Sequence, residues 1–375
     1  MLAKSWNESF GKTSCALACV LLLWAAGAAR GADSGAKMDP GECKKVVEAA
    51  KKEGKLVISG DAGEEWRAIL VDAFRQEYPE IKVEYGGMAG RNYWLRVQQE
   101  RKLGQKLWDM RAGGVEAMSF EAKNNGHLEP IRPFLLPENA DDSKWVGGLD
   151  GLFHDKENKY MPAYTIYVQH TAFVNRDFIK ESELQGSWQL LDPKFKGKMV
   201  LQTPTGGATF SSLGNMAFMY GQNFVRDLLT KQNVVVTDDN RQQTEWLVRG
   251  KYPIVVGLNN TLLIPFQKQG LGKNIAGLED KVIQVATSLG GISYMKDAPH
   301  PNASKVYINW LLSQKTQVKL TKNVRLNSRR TDVPPVDMAT AVDPARLERY
   351  RLYSTEENVA NASRFLPVIR EILKK

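Results

Sequence analysis

The chain has 375 residues, of which 43% are hydrophobic and 25% charged, with a formal net charge of +9. That length accommodates two domains with good cores, and the composition is that of a soluble globular protein. The basic residues are scattered and no recognition module is visible, so the cationic field points to small anions or membrane surfaces and away from nucleic acid.

The only long apolar stretch is Ser14–Ala29, preceded by Lys4 and Lys12 and followed by Ala- and Gly-rich sequence. A basic start, a short apolar run and small residues after it form a secretory signal peptide, residues 1–31. The run falls short of the ~20 residues of a membrane span. Met1–Gly31 holds Lys4, Lys12, Arg30 and Glu8, so cleavage leaves a charge of +7. It also removes Cys15 and Cys19 and leaves Cys43. One thiol closes no internal disulfide, so the fold must stand on its core, and the expected setting is the bacterial periplasm.

Pro40–Glu53 reads as a helix stopped by Gly54. Lys55–Ser59 is a short buried strand that gives way to Gly60-Asp61-Ala62-Gly63. Trp66, Ile69, Leu70, Ala73 and Phe74 form a helical stripe, ended by Tyr78-Pro79. Ile81, Val83 and Tyr85 alternate as a strand, followed by the loop Gly86–Arg91, a helix over Asn92–Lys102 and a strand over Trp108–Ala112. Helix and strand alternate, and each strand ends in a glycine-containing loop. This is an α/β pattern with a largely parallel sheet, where ligands sit beyond the carboxyl ends of the strands. Asp61, Met88–Arg91 and Gly113 should gather on one edge.

Leu128–Gly151 is rich in Pro, Asn and Asp and reads as irregular. Met161–Asn175 is one long strand or two. Lys196–Leu229 is the stretch around which the chain is organised. Met199–Leu201 form a buried strand, Thr203–Thr209 a hydroxyl- and Gly-rich turn, and Leu213, Met216, Ala217, Tyr220, Phe224 and Leu228 one amphipathic helix. A helix start after such a turn presents free N–H groups and a positive dipole end, which hold anions or polar ligand atoms. GxxxxGK[ST] is missing, which excludes a phosphate-cradling NTPase loop. Further strands are expected at Val234–Thr237, Tyr252–Leu258 and Val282–Ala286, with a helix from Asp238 through Leu247. Ser304–Ser313, Gln314–Asn323, Leu347–Tyr353 and Ala360–Lys375 read as helices.

Four segments carry a resemblance. KLVISGDAGEEWRAILVDAFRQEYPEIKVEYGG, SWQLLDPKFKGKMVLQTP, RGKYPIVVGLNN and APHPNASKVYINWLLSQKTQ occur in one order and spacing between Lys55 and about Asp332. Together they resemble the extracellular solute-binding proteins of ABC transporters, the family that includes the ferric-binding proteins. The resemblance implies a two-lobed α/β fold of the type II periplasmic-binding-protein kind, with two mixed sheets flanked by helices and joined by two hinge strands. Lobe 1 would hold residues 32–165 and 288–330. Lobe 2 would hold 166–287, with residues 331–375 and their closing helices packed against it. Ligand would bind in the cleft, and the lobes would close by hinge motion.

Ferric members carry two adjacent tyrosines just after the strand that matches Tyr252–Leu258. Here those positions are Thr261-Leu262, with Asn259-Asn260 before them, and no Tyr-Tyr pair occurs in the sequence. Amides and hydroxyls are poor ferric ligands. The resemblance to non-ferric relatives implies organic anions, phosphorylated or carboxylated compounds, or polyamines. The donors and cationic tone of Arg91, Arg241, the Thr203–Thr209 turn and Asn259/Asn260 favour a small polar organic anion, carboxylated or phosphorylated. The candidate binding residues are Asp61, Arg91, Tyr167, Thr205, Gly206, Gly207, Thr209, Arg241, Asn259 and Asn260. Arg forks recognise carboxylate and phosphate through two parallel bonds. Asp61 accepts a ligand hydroxyl or caps the helix that follows it. His127, His154, His170 and His300 lack any HExxH or cysteine company, so no metal site or cofactor is expected, and no GxSxG or SxxK marks a catalytic serine. The expected partners are a small-molecule ligand and a membrane-embedded ABC permease, and the receptor is expected to be a monomer. A ferric receptor using other ligands with a synergistic anion is one alternative. A secreted enzyme on the same scaffold is another, since fold does not fix function.

Overall fold

The computed structural model describes residues 38, 40–204, 207–258, 260–287 and 289–373. The expected signal peptide lies outside the described residues.

Helix α1 (Pro40–Glu53) ends at Gly54, whose φ of 65° lets its N–H return to the Ala50 carbonyl at 3.0 Å. Strand β1 (Lys55–Gly60) follows. Next come α2 (Glu64–Arg67), a π-helical turn (Ala68–Asp72) and α3 (Ala73–Glu77), which carry the predicted stripe, with Trp66, Ile69, Leu70 and Phe74 buried. Then come β2 (Lys82–Gly87), α4 (Gly90–Lys102), β3 (Met110–Gly113), α5 (Ala117–Asn124) and α6 (Gly148–Leu152). The chain crosses through β4 (Tyr167–Gln169) into β5 (Ala172–Asn175). The central stretch supplies β6 (Met199–Gln202), α7 (Gly207–Tyr220) and α8 (Gln222–Lys231), followed by β7 (Val235–Thr237), α9 (Asn240–Val248), β8 (Ile254–Val256), α10 (Ile264–Lys268) and β9 (Ile275–Gly277). The return passes through β10 (Ile283–Ala286) to β11 (Gly291–Tyr294), α11 (Pro301–Leu312) and α12 (Gln314–Val324), and the chain ends with β12 (Tyr350–Leu352) and α13 (Glu356–Leu373).

These strands make two mixed sheets and a small third one. The first has the order β11-β3-β1-β2, with β1, β2 and β3 parallel and β11 antiparallel to β3. The second has the order β7-β6-β8-β5-β9, with β6, β7 and β8 parallel and β5 antiparallel to both of its neighbours. Between them in the chain, β4 lies antiparallel to β10, with Val168 opposite Val285, and β12 pairs in parallel with the other edge of β10. Each large sheet has its own core. The first includes Leu56, Ile58, Ile81 and an aromatic group in which Phe74 meets Tyr78, Tyr307 and Trp310 at centroid distances of 4.9, 4.8 and 5.0 Å. The second is built on Met199, Leu201, Leu213, Val225, Leu228 and Val256.

Three sequence expectations differ from the structure. The single helix read through Leu228 is broken at Gly221, whose φ of 86° is left-handed and ends α7. Leu347–Tyr353 is not a helix. A 3-10 segment (Pro344–Arg349) leads into β12, because the free edge of β10 offers Tyr350–Leu352 a ladder that propensity cannot foresee. The closing helix α13 touches more than the second body. Phe365 and Ile369 enter that body's core, whereas Glu356 binds Lys123 of α5 at 2.7 Å.

Candidate functional site

The parallel strands of the first sheet end in a polar cluster. Arg111, in β3, lies in register between Ser59 of β1 and Ser293 of β11. Two small hydroxyl residues leave the width that a long side chain needs between its neighbours in the sheet. Gly113 leaves the rest, since a Cβ there would stand 2.8 Å from Arg111 Nη2. Only 2% of the Arg111 side chain is exposed. Its Nη1 donates to Ser59 Oγ at 3.1 Å and to the Met88 carbonyl at 3.2 Å, and its Nη2 donates to Asp61 Oδ1 at 3.1 Å. The guanidinium carbon lies 5.5 Å from the Tyr93 ring centroid, within cation–π range. Arg111 Nε, Asp61 Oδ2 and the hydroxyls of Tyr93, Tyr164 and Thr165 are buried and have no hydrogen-bond partner.

The electrostatics follow from burial. Burial raises the Asp61 carboxyl above its ordinary value, and the opposing pull of Arg111 does not cancel it. Glu116, at the start of α5, is raised by the same cause against the same cation. Tyr85, whose hydroxyl donates to the Asp61 carbonyl, is pushed up to about 12 by burial, with the Asp61 charge adding to the effect. Burial also drives Tyr93 and Tyr164 upward. One cation and two reluctant carboxylates therefore share this corner. It adjoins the crossing segments, for Tyr164 N donates to the Gly290 carbonyl at 2.6 Å, and a Cβ on Gly290 would lie 2.4 Å from Thr165.

A second group forms where β6 and β8 end. Thr209, in the first turn of α7, is fully buried, and its hydroxyl donates toward the carbonyls of Val256 at 3.4 Å and Gly257 at 3.3 Å. Gly257 has a φ of 73°, and a Cβ there would stand 2.2 Å from Thr209 Cα, so this close approach of helix to strand end requires glycine. Thr209 thus serves the backbone through its hydroxyl. Gly207 opens α7 and Asn260 opens the 3-10 turn Asn260–Leu263. Thr205, Gly206 and Asn259 lie outside the described residues. Arg241 sits in the first turn of α9 with an exposed side chain, and Asp239 Oδ1 caps the helix by accepting from the Arg241 and Gln242 amides at 2.8 and 3.1 Å.

Of the remaining candidates, Arg91 is exposed at the start of α4, and Tyr167 is half-buried in β4. Asp61 does not cap the following helix. The N-cap position belongs to Gly63, and the Asp61 side chain turns to Arg111 instead. Sequence reading missed Arg111, Glu116 and the role of Tyr85. The available signal was an arginine inside the strand Met110-Arg111-Ala112 immediately before Gly113-Gly114, a costly place for a charge unless it is paired or used. His300 binds Asp109 through Nδ1 at 2.8 Å and through its own amide at 2.7 Å, which fixes the turn before α11. Among the described residues no three His, Cys, Asp or Glu side chains are grouped to hold a metal ion. A cavity of about 170 Å³ between α1 and α11 shares no residue with either group.

Two mixed sheets flanked by helices and joined by paired crossing strands are the plan of the two-lobed periplasmic binding proteins. Residues 59–318 match the family described as bacterial extracellular solute-binding protein, and the chain belongs to that family. It is 23% identical over 314 residues to an uncharacterized protein of Haemophilus influenzae, covering 81% of this chain and 86% of that one. Solved structures share the fold at lower identity. Iron-bound HitA from Pseudomonas aeruginosa aligns with a TM-score of 0.62 at 18% identity, over 85% of this chain and 99% of its own. The ferric binding protein from Campylobacter jejuni gives 0.63 at 17%, over 84% and 99%. AfuA from Actinobacillus pleuropneumoniae, with fructose-6-phosphate bound, gives 0.55 at 19%, over 84% and 99%. Solute-binding proteins of this kind take up small molecules and deliver them to ABC permeases, so the family is one of binding and transport. No helix among the described residues is long and apolar enough to cross a membrane.

Proposed function

We propose that this protein is the periplasmic receptor of an ABC importer for a small polar organic anion, a carboxylate or phosphorylated compound. In this reading the body of the first sheet is one lobe and the body of the second sheet the other, with β4 and β10 as hinge strands. The ligand lies between the Arg111 corner and the start of α7, with Gly207, the backbone of Asn260 and Arg241 on the second wall and Arg91 and Tyr167 at its margins. The signal peptide is removed, and the mature receptor works as a monomer. Closure is stabilised only by contacts that the ligand makes with both lobes at once.

The observation that carries this reading is the buried Arg111 guanidinium at the carboxyl end of β3, with an unpartnered N–H beside the loop that follows β1. A neutral ligand gains nothing there that water would not supply, whereas an anion with two oxygens matches the fork. Mass spectrometry of small molecules released from gently denatured protein tests the reading, and an organic acid or phosphate ester is the expected result. Arg111→Met should weaken binding of that compound by tenfold or more, since a charged hydrogen bond contributes about 1.5–3 kcal/mol. A ferric–tyrosinate absorption band on adding iron, or unchanged affinity in Arg111→Met, would remove this assignment.

A further inference from the structure

We propose that Asp61 is an internal placeholder for the acidic group of the ligand. It occupies one edge of the Arg111 guanidinium in the empty receptor, and an incoming carboxylate or phosphate takes that edge and turns Asp61 toward solvent. The inference rests on the anion-receptor reading and names which contact the ligand replaces.

The protein supplies its own standard of a resident arginine–carboxylate pair. Arg330 and Asp332 meet fork to fork, Nε to Oδ1 at 2.8 Å and Nη2 to Oδ2 at 3.0 Å. Arg111 and Asp61 make a single contact, Nη2 to Oδ1 at 3.1 Å, and leave Nε on one partner and Oδ2 on the other buried and unsatisfied. A pair selected for stability would close both bonds, since an unmade bond on a buried polar atom forfeits its hydration without return. A two-oxygen anion on the Nε–Nη2 edge closes both.

The two partners also differ in freedom. Arg111 is fixed from its other edge by Ser59 Oγ and the Met88 carbonyl and rests against Tyr93, so it stays in place when Asp61 leaves. Asp61 is 20% exposed, ten times more than Arg111, and precedes the exposed Ala62 and Gly63 on the loop after β1. The moving partner is therefore the carboxylate. The arrangement spares the empty receptor a bare buried cation, and it rejects neutral solutes, which cannot compensate Arg111 once Asp61 has swung away.

The test is rescue by small anions, which needs no knowledge of the natural ligand. Asp61→Ala vacates the carboxylate position. Formate, acetate and inorganic phosphate are titrated into the variant against sodium chloride of equal ionic strength, and the melting midpoint is read. At tenfold above its dissociation constant an anion should raise the midpoint of D61A by roughly 2–3 °C, with a smaller rise in the parent protein and none in D61A/R111Q. Asp61→Asn keeps the volume and removes the charge, so it carries the test if D61A does not fold. A D61A or D61N response no larger than that to chloride, or one that survives R111Q, overturns the placeholder. The outcomes separate the two readings. If the purified protein releases an organic acid but D61A ignores formate, only the placeholder fails. If it releases a cation or a metal, the anion-receptor reading fails whatever D61A does.

Discussion

Lys123→Met probes how the last helix is tied to the first body. Lys123 lies in α5 with 4% of its side chain exposed, and it donates to Glu356 at 2.7 Å and to Glu157 at 2.5 Å. Glu356 is 9% exposed and also accepts from the Lys156 amide at 3.1 Å, while Glu157 is half exposed. Burial works to lower the Lys123 pKa, but the two carboxylates outweigh it and the net shift is upward. Removing one partner of a buried pair typically costs about 3–5 kcal/mol. Glu157 regains water, and Glu356 keeps its amide bond, so the expected loss is about 2–3 kcal/mol, or about 3–4 °C in melting midpoint for a chain of this length. The assay is urea unfolding with a double-mutant cycle. Lys123→Met with Glu356→Leu should recover much of the loss, because no buried charge is left unpaired and Glu157 is solvated, giving a coupling of about 1–2 kcal/mol. Hydrogen exchange should quicken in the first turn of α13 and stay slow around Phe365 and Ile369, which are held in the second body's core. The reasoning fails if the single substitution costs under about 0.5 kcal/mol or the two substitutions are additive. The pair also sets a pH window. Glu356 is held below its ordinary 4.5 against the pull of burial, so its contribution is present above about pH 4.5 and is lost as the pH falls through the lower folded value.

His154 gives a second pH dependence. It is buried, Nδ1–H donates to the Ser354 carbonyl at 3.0 Å, and Nε2 accepts from Arg329 Nη1 at 3.2 Å. Burial, with help from the Arg329 charge, pushes its pKa down to about 3 from an ordinary 6.5. The unfolded chain then binds a proton that the fold refuses, so stability present above pH 6.5 is lost as the pH falls toward 3. The share due to His154 between pH 7 and pH 5 is about 2 kcal/mol, and His154→Asn should show a correspondingly shallower difference in urea unfolding between those two pH values. An unchanged difference would assign the slope to other groups. Gly257→Ala should destabilise by more than about 2 kcal/mol, through a left-handed backbone and a Cβ placed against the Thr209 Cα, and should weaken ligand binding by displacing the start of α7. Parent-like stability would mean that the strand end yields.

What the sequence determined by itself was the local alternation and its punctuation. The Pro40–Glu53 helix, the short strand after Gly54 and the strand at Met199 are written in apolar period and glycine stops, which depend only on near neighbours. Four segments in one order were enough for the fold class, because the family pattern constrains spacing as well as residue type. Tertiary structure decided the rest. Tyr350–Leu352 became a strand because β10 had an edge to offer, and Thr209 turned its hydroxyl to the end of β8 because Gly257 let the helix approach. Arg111 became the centre of a buried polar cluster because Ser59 and Ser293, 52 residues before it in the chain in one case and beyond the second body in the other, were brought to either side of it. Burial and partner are properties of the assembled sheets, so a charge inside a strand can be noticed in the sequence, but its use cannot be read there.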